Sequence, residues 1–270
     1  MSPLVWRIRS AYSIGTHALG NIGREFAGLF SADSKRVIFQ FGRVGSIALR
    51  NAAREALPGQ AVYHLHWIHT KGRGYRRFWP ARNFKEWVVG RVLMARKSNI
   101  DLDVITPVRD PVARCVSMFG YDVPKELNHE SVEVDRLLDF FWSMSAHKTV
   151  FRWFDDEIRP TLGIDVCDHP FPGPNRVLTV SRDRWRWLVY RLEDIETVTP
   201  EIGRFLGVTD FHIPRVNESK AHVNPVVHRK FMDAIRFPAS YLDRMYGSRF
   251  VRHFYTPAEI AAFRRRWEAV

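Results

Sequence analysis

The stretch Val37-Ile38-Phe39-Gln40-Phe41 constrains the fold most strongly, because it is short, β-prone and almost entirely apolar. Such a run is typical of a strand buried on both faces of a parallel sheet. The turn Gly42-Arg43-Val44-Gly45-Ser46 follows, and residues 47–57 then have a helical pattern that ends at Pro58-Gly59. A strand, a glycine-containing turn and a helix together aim backbone N–H groups at an anion. The segment therefore predicts a phosphate-binding loop.

The side chains of this loop suit the same interpretation. Gly45 permits close approach of the backbone to a ligand, Ser46 adds a hydroxyl donor, and Arg43 supplies a positive charge for phosphate or sulfate oxygens. The loop is not a Walker A sequence, because Ser46-Ile47 follows Gly45 where that motif has a lysine and a hydroxyl residue. An alternative is a plain glycine turn between strand and helix.

Predicted strands alternate with predicted helices along the rest of the chain. Strands are predicted at 61–68, 103–108 and 187–191, and helices at 84–97, 111–119, 131–158 and from 192 to about 207. This alternation predicts an α/β fold, a P-loop-type three-layer sandwich with a mostly parallel central sheet and helices on both faces. Residues 35–270 are assigned to this domain.

Three further segments complete the prediction of secondary structure. Residues 165–168 and 177–181 are predicted as short strands or an antiparallel pair. From Pro238 onward the pattern predicts two helices separated by Tyr255-Thr256-Pro257, with Thr256 and Glu259 forming a capping box for the second.

Composition narrows the class of partner. With 41 Lys+Arg against 29 Asp+Glu, the net charge of +12 favours an anionic partner: nucleic acid, an anionic membrane, a phosphate-rich cofactor or an acidic polysaccharide. The two cysteines, Cys115 and Cys167, form no CxxC motif, which favours a reducing compartment. The chain has no apolar stretch of about 20 residues and no signal-peptide pattern, so a cytoplasmic protein is expected.

Residues 1–34 form a lead-in with bulky apolar residues at intervals of three to five positions. The spacing predicts an amphipathic helix that docks on the main domain. The alternative is peripheral contact with the inner face of a membrane through Arg7, Arg9 and Arg24.

A second signature lies at the end of the predicted strand 103–108. Arg109 leaves the strand's carboxyl end, where open α/β sheets bind ligands, Pro111 starts the next helix, and Ser117 lies about two turns into that helix. An arginine that ends a strand and a serine eight residues later resemble the 3′-phosphate signature of the sulfotransferases that use 3′-phosphoadenosine 5′-phosphosulfate (PAPS). Arg43 and Ser46 are similar to the phosphosulfate loop of that family, whereas Val44 and Ile47 depart from its pattern.

Two later segments extend the resemblance. Residues 187–195, ending Arg191-Leu192-Glu193-Asp194-Ile195, are similar to a strand-to-helix segment of these enzymes, and the run Arg252–Thr256 resembles bacterial proteins of capsular polysaccharide synthesis. The resemblance implies that Gly42, Arg43, Val44, Gly45, Ser46, Ile47, Arg109 and Ser117 bind PAPS, and that 3′,5′-adenosine bisphosphate (PAP) is the product. It also implies a carbohydrate acceptor, a polysaccharide or glycolipid precursor, with neither a metal nor nucleic acid required.

Sulfuryl transfer needs a base for the acceptor's proton. Strand alternation places His64 and His66 on one face, and the stretch Tyr63–His69 resembles the histidine-bearing strand of the heparan and dermatan 2-O-sulfotransferases. We predict His66 as the base, with His64 second. The alternatives are histidines that only form structural hydrogen bonds, or a zinc site made by His64, His66 and His69.

Four other groups of residues are weaker candidates for the site. The basic, aromatic stretch 71–79 either lines an acceptor groove or is a solvated loop. Asp155-Asp156-Glu157 is expected on a solvated helix face, the alternatives being a metal ligand or a base. Lys220 and His222 are placed in a loop over the nucleotide, and Arg114 is expected to pair with Asp110. The alternative functions are another phosphoryl transferase, a basic nucleic-acid-binding protein and a catalytically silent scaffold.

Overall fold

The computed structural model describes residues 28–31, 34–69, 80–214 and 222–268. Within these ranges one five-stranded sheet has the order β2-β1-β3-β5-β4. Its strands are β1 (Lys35–Phe39), β2 (Val62–Leu65), β3 (Leu102–Val108), β4 (Leu178–Arg182) and β5 (Trp185–Arg191). Parallel pairing joins β2, β1, β3 and β5, and only the edge strand β4 is antiparallel to its neighbour. The predicted α/β class with a mostly parallel sheet is confirmed.

Helices connect the strands and continue beyond them. The main α-helices in the described ranges are α1 (Ser46–Ala56), α2 (Pro80–Ala95), α3 (Pro111–Asp122), α4 (Val134–Ser143), α5 (Ala146–Trp153), α6 (Arg159–Leu162), α7 (Ile195–Leu206), α8 (Pro225–Ala234), α9 (Ala239–Tyr246), α10 (Arg249–Phe254) and α11 (Pro257–Glu268). A single π-helical turn, Phe154–Ile158, joins α5 to α6.

The sheet is buried on both faces, as its apolar strands predict. Successive residues of β1 point to opposite sides, so Val37 and Phe39 belong to one apolar cluster and Ile38 to another. The smaller cluster packs β-strand residues against α1 and α7, and the larger one packs the opposite face against α2, α3, α5 and the C-terminal helices. The result is a three-layer sandwich.

Several predicted elements need correction. Residues 166–168 form a 3-10 turn rather than a strand, because the Asp165 carboxylate accepts a hydrogen bond from the Cys167 N–H and holds the chain in a turn. The stretch 131–158 is not one helix, since α4 ends at Ser143 before α5 begins at Ala146.

The C-terminal part contains three helices instead of two, because α9 and α10 are separated at Gly247-Ser248. The predicted capping box is present: the Thr256 N–H donates to Glu259 Oε2 at 2.8 Å, and the Glu259 N–H donates to Thr256 Oγ1 at 3.3 Å. Cys115 and Cys167 form no disulfide, and burial raises the pKa of the Cys115 thiol to about 11.

The predictions for residues 1–27, for most of the loop at 70–82 and for Lys220 lie outside the described residues. Residues 80–82 already belong to α2 rather than to that loop. Across the described ranges, no helix is both long enough and apolar enough to cross a membrane.

Candidate functional site

A cleft of about 2110 Å³ opens at the carboxyl edge of the parallel strands. Segments that follow β1, β2, β3 and β5 all line it. Open α/β sheets bind ligands at this edge because the loops there converge. The predicted site residues on its wall are Gly42, Arg43, Gly45, Ser46, Ile47, His64, His66, Arg109 and Ser117. Val44 is fully buried beneath the loop instead.

The loop after β1 has an unusual backbone. Gly42, Arg43 and Gly45 all have positive φ, at 86°, 63° and 75°. Such angles cost little at glycine but strain an arginine, so the surrounding structure must hold Arg43 in place. Gly45 precedes α1 without a side-chain cap, so the first N–H groups of that helix remain available to an anion.

Arg43, Ser117 and Arg109 come together from two separate loops. Arg43 Nε donates to Ser117 Oγ at 3.2 Å, and Arg109 Nη1 donates to the Arg43 carbonyl at 3.1 Å. The Arg43 guanidinium also lies over the Tyr121 ring, 4.7 Å from its centroid. The two signatures, more than 60 residues apart in sequence, therefore form one cationic corner of the cleft.

Buried hydrogen bonds support the strand end that carries Arg109. The Asp110 N–H donates to Glu193 Oε1 at 2.7 Å, and the Asp110 carboxylate accepts from Tyr246 and Trp267, each at 3.0 Å. Burial lowers the pKa of the Arg109 guanidinium, while the Glu193 and Asp110 carboxylates act in the opposite direction. The C-terminal helices α9 and α11 thus fix the position of Arg109.

Arg114 does not pair with Asp110, so that prediction was wrong. Asp110 instead caps α3 by accepting from the Val112 N–H at 3.0 Å. Arg114 is fully buried and donates to three carbonyls: Phe41 at 2.5 Å, Gly42 at 2.9 Å and Ala146 at 3.1 Å. Arg114 therefore holds the start of the loop after β1, the predicted phosphate-binding loop, from inside the protein.

His64 contacts the same loop. Its Nε2 lies 3.0 Å from Ser46 Oγ and 3.2 Å from Gln40 Nε2. The Gln40 amide oxygen accepts from the Gly42 N–H, so the amide nitrogen faces the ring as a donor. His64 Nε2 is therefore occupied by Ser46 of the loop and by Gln40, which precedes the loop.

His66 stands next to His64 but has different partners. The two ring centroids are 5.0 Å apart, as alternation along the strand predicts. His66 Nδ1 lies 2.9 Å from Glu86 Oε2, and its carbonyl accepts from Trp153 Nε1 at 2.9 Å. The ring is thus oriented by a carboxylate from α2, a residue that the sequence analysis did not identify.

Glu157 was predicted on a solvated face, and that prediction was wrong. Its carboxylate is fully buried and accepts from the Ile68 and His69 N–H groups at 2.7 and 2.8 Å. The π-helical turn at 154–158 breaks the α-helical period, so the face cannot be inferred from a spacing of 3.6. Asp155 and Asp156 do form exposed ion pairs, with Arg159 and Arg152.

The remaining predictions divide between described and undescribed residues. His222 lines the cleft and its ring meets Tyr121 edge-on, 4.7 Å between centroids. Within the part of the chain that the structure describes, no group of three His, Cys, Asp or Glu side chains is arranged to hold a metal, so the zinc alternative at His64, His66 and His69 gains no support. Gln40 and Glu86 were missed because their histidine partners lie 24 and 20 positions away and no local motif marks them.

The chain matches no protein-family model, no curated protein and no solved structure in the comparisons with known proteins.

Proposed function

We propose that the protein is a PAPS-dependent sulfotransferase that transfers a sulfuryl group to a hydroxyl or amine of a carbohydrate. The observation that carries the proposal is the convergence of Arg43, Ser117 and Arg109 at the carboxyl edge of the sheet, in the cleft that His66 also lines. Two phosphate-type signatures in one cleft suit a donor that carries a phosphosulfate at one end and a phosphate at the other.

Each residue has a role in this proposal. The start of α1, Ser46 and Arg43 hold the 5′ phosphosulfate, and Arg43 balances charge on the transferring group. Arg109 and Ser117 hold the 3′ phosphate. His66 removes the acceptor's proton.

The acceptor class rests on the sequence resemblance to capsular polysaccharide proteins. The size of the cleft, about 2110 Å³, leaves room for an acceptor beside a nucleotide. The net charge of +12 also favours an anionic donor. We propose a polysaccharide or a glycolipid precursor as the acceptor.

Calorimetry with PAP and 5′-AMP tests the donor assignment. We expect PAP to bind wild-type protein at least tenfold more tightly than 5′-AMP, about 1.4 kcal/mol, because only PAP offers a 3′ phosphate to Arg109. Arg109→Ala should reduce this difference to near zero. Arg184→Ala is the matched control, because Arg184 is an exposed arginine that pairs with Asp101 at the opposite edge of the sheet. Folded wild-type protein that does not bind PAP would contradict the proposal.

A further inference from the structure

We infer that Glu86 is a positioning residue for the base. It places the single N–H proton of the neutral His66 ring on Nδ1, so that Nε2 faces the cleft as the acceptor of the substrate's proton. The inference deepens the proposed function and rests on it for the reaction, although the protonation state of His66 is measurable without any reaction.

The contacts of Glu86 with His66 determine the tautomer of the His66 ring. A single carboxylate oxygen, Glu86 Oε2, lies 2.9 Å from His66 Nδ1 and 3.1 Å from the His66 backbone nitrogen. An ionised carboxylate only accepts hydrogen bonds, so both nitrogens must donate. The hydrogen bond that one ring nitrogen makes decides where the proton of a neutral imidazole resides. Nδ1 therefore carries the proton, and Nε2 carries the lone pair.

Hydrogen bonds from a second element, α5 and the turn that follows it, also hold the backbone around His66. Trp153 Nε1 donates to the His66 carbonyl at 2.9 Å, and the buried Glu157 carboxylate accepts from the N–H groups of residues 68 and 69. Both groups come from α5 and the π-helical turn that follows it. The chain that carries the ring is therefore held by Trp153 and Glu157 as well as by the Glu86 carboxylate that orients the ring.

The packing of α2 places Glu86 within reach. Gly90 lies one helical turn after Glu86, and a Cβ at this position would lie 2.6 Å from Ile68 Cγ1. Glycine is less favourable than alanine inside a helix, and here it permits the helix to approach the segment that follows His66. Glu86 is itself only 8% exposed, which strengthens its interaction with the ring.

His64 serves as the internal comparison. Its Nε2 already faces Ser46 and Gln40, so a lone pair there supports the loop rather than an acceptor. His66 has its carboxylate partner on the other ring nitrogen, Nδ1. This difference assigns the base to His66.

Glu86 neither gains nor loses a proton in the proposed reaction. The acceptor oxygen forms a bond to sulfur while the bond from sulfur to the bridging oxygen of PAPS breaks, and the electron pair of that bond leaves on the 5′ phosphate of PAP. The acceptor's proton moves to His66 Nε2, giving an imidazolium. Glu86 remains ionised and stabilises that imidazolium, as the aspartate does in the serine-protease triad.

Long-range ¹H–¹⁵N spectroscopy of histidine-labelled protein tests the inference, at a pH where His66 is neutral. We expect the His66 signal, assigned by its loss in His66→Ala, to show protonated Nδ1 in the wild type. Glu86→Gln should shift the population toward protonated Nε2, because a neutral amide is a weaker acceptor. Glu133→Gln is the control, since it removes an exposed carboxylate at the start of α4.

Turnover provides a second readout. With PAPS alone and water as acceptor, Glu86→Gln should slow the release of sulfate about ten- to a hundredfold and leave PAP affinity unchanged. Adding Glu86→Gln to His66→Ala should cost nothing further, because Glu86 acts through His66. Protonated Nε2 in the wild type, or a Glu86→Gln variant with unchanged tautomer and rate, would overturn the inference. Failure of PAP binding would instead remove the proposed function and leave the tautomer result interpretable.

Discussion

Gly45 occupies a position that suits no larger residue. Its φ is +75°, and a Cβ there would lie 2.5 Å from Leu192 Cδ1. A left-handed conformation costs an L-residue about 1–2 kcal/mol, and the contact with Leu192 adds to that cost. We expect Gly45→Ala to lower the free energy of unfolding and to weaken PAP binding more than tenfold. Urea denaturation and calorimetry measure the two effects.

Gly59 supplies a matched control for this substitution. Its φ is +80°, and a Cβ there would meet nothing within 4 Å. Gly59→Ala therefore has the backbone penalty alone, and PAP affinity should not change. If Gly45→Ala and Gly59→Ala lost the same stability and the same PAP affinity, the contact between Leu192 and the loop would contribute to neither quantity.

At the scale of elements, the capping box of α11 links the start of that helix to the end of β5. Glu259 accepts from Thr256 and pairs with the buried Arg191 at 2.8 Å. Partial burial by itself raises the pKa of Glu259, but the hydrogen bonds from Thr256 and the charge of Arg191 lower it by more. The folded-state pKa thus lies below the unfolded value of about 4.3.

This sign sets the pH dependence. A carboxylate with a lowered pKa stabilises the protein above its unfolded pKa, and that contribution disappears as the pH falls through the folded value. We expect Glu259→Gln to reduce the free energy of unfolding at neutral pH and to have a much smaller effect at about pH 3. Urea denaturation at both pH values measures it, with Glu268→Gln, an exposed pair on the same helix, as the control. An equal effect of Glu259→Gln at both pH values would exclude a role for its charge.

Elements with a local cause were predictable from the sequence. The apolar run of β1, Pro111 at the first position of α3 and the Thr256–Glu259 box each depend on neighbours within a few residues. The mostly parallel pairing of the sheet follows from the same logic, because apolar strands that alternate with helices pair in parallel. Parallel pairing puts the segments that follow β1 and β3, which carry Arg43, Arg109 and Ser117, at the same edge of the sheet, whereas the order of the strands was not predicted.

Contacts between distant elements were not predictable. Arg114 has an acidic neighbour four positions back, yet it donates to carbonyls of the loop after β1, which lies about 70 positions earlier. Glu157 faces inward because a π-helical turn changes the helical period. Glu86 meets His66 where α2 packs closely against Ile68 at Gly90, a contact between distant segments. Neither hydrophobic periodicity nor residue spacing indicates which distant element a side chain contacts.

At the scale of the whole molecule, the site depends on both ends of the described chain. The phosphate-type loop follows β1, whereas Tyr246 and Trp267, which fix Asp110 beside Arg109, come from α9 and α11. Truncation before α11 would leave the buried Asp110 carboxylate without one of its donors, which costs more than the bond itself contributes. The C-terminal helices therefore belong to the same functional unit as the loop.

The net charge of +12 acts over a longer range than any of these contacts. A field of this sign increases the rate at which a polyanion reaches the cleft, and salt screens it as the Debye length falls from about 30 Å at 0.01 M to about 3 Å at 1 M. We expect the association rate of PAP, measured by stopped flow, to fall at least about tenfold across that range. Adenosine, which carries no phosphate, should show no such decrease. A salt-independent rate for PAP would mean that electrostatic attraction does not guide the donor to the cleft, and that the excess of basic residues serves a different anionic partner.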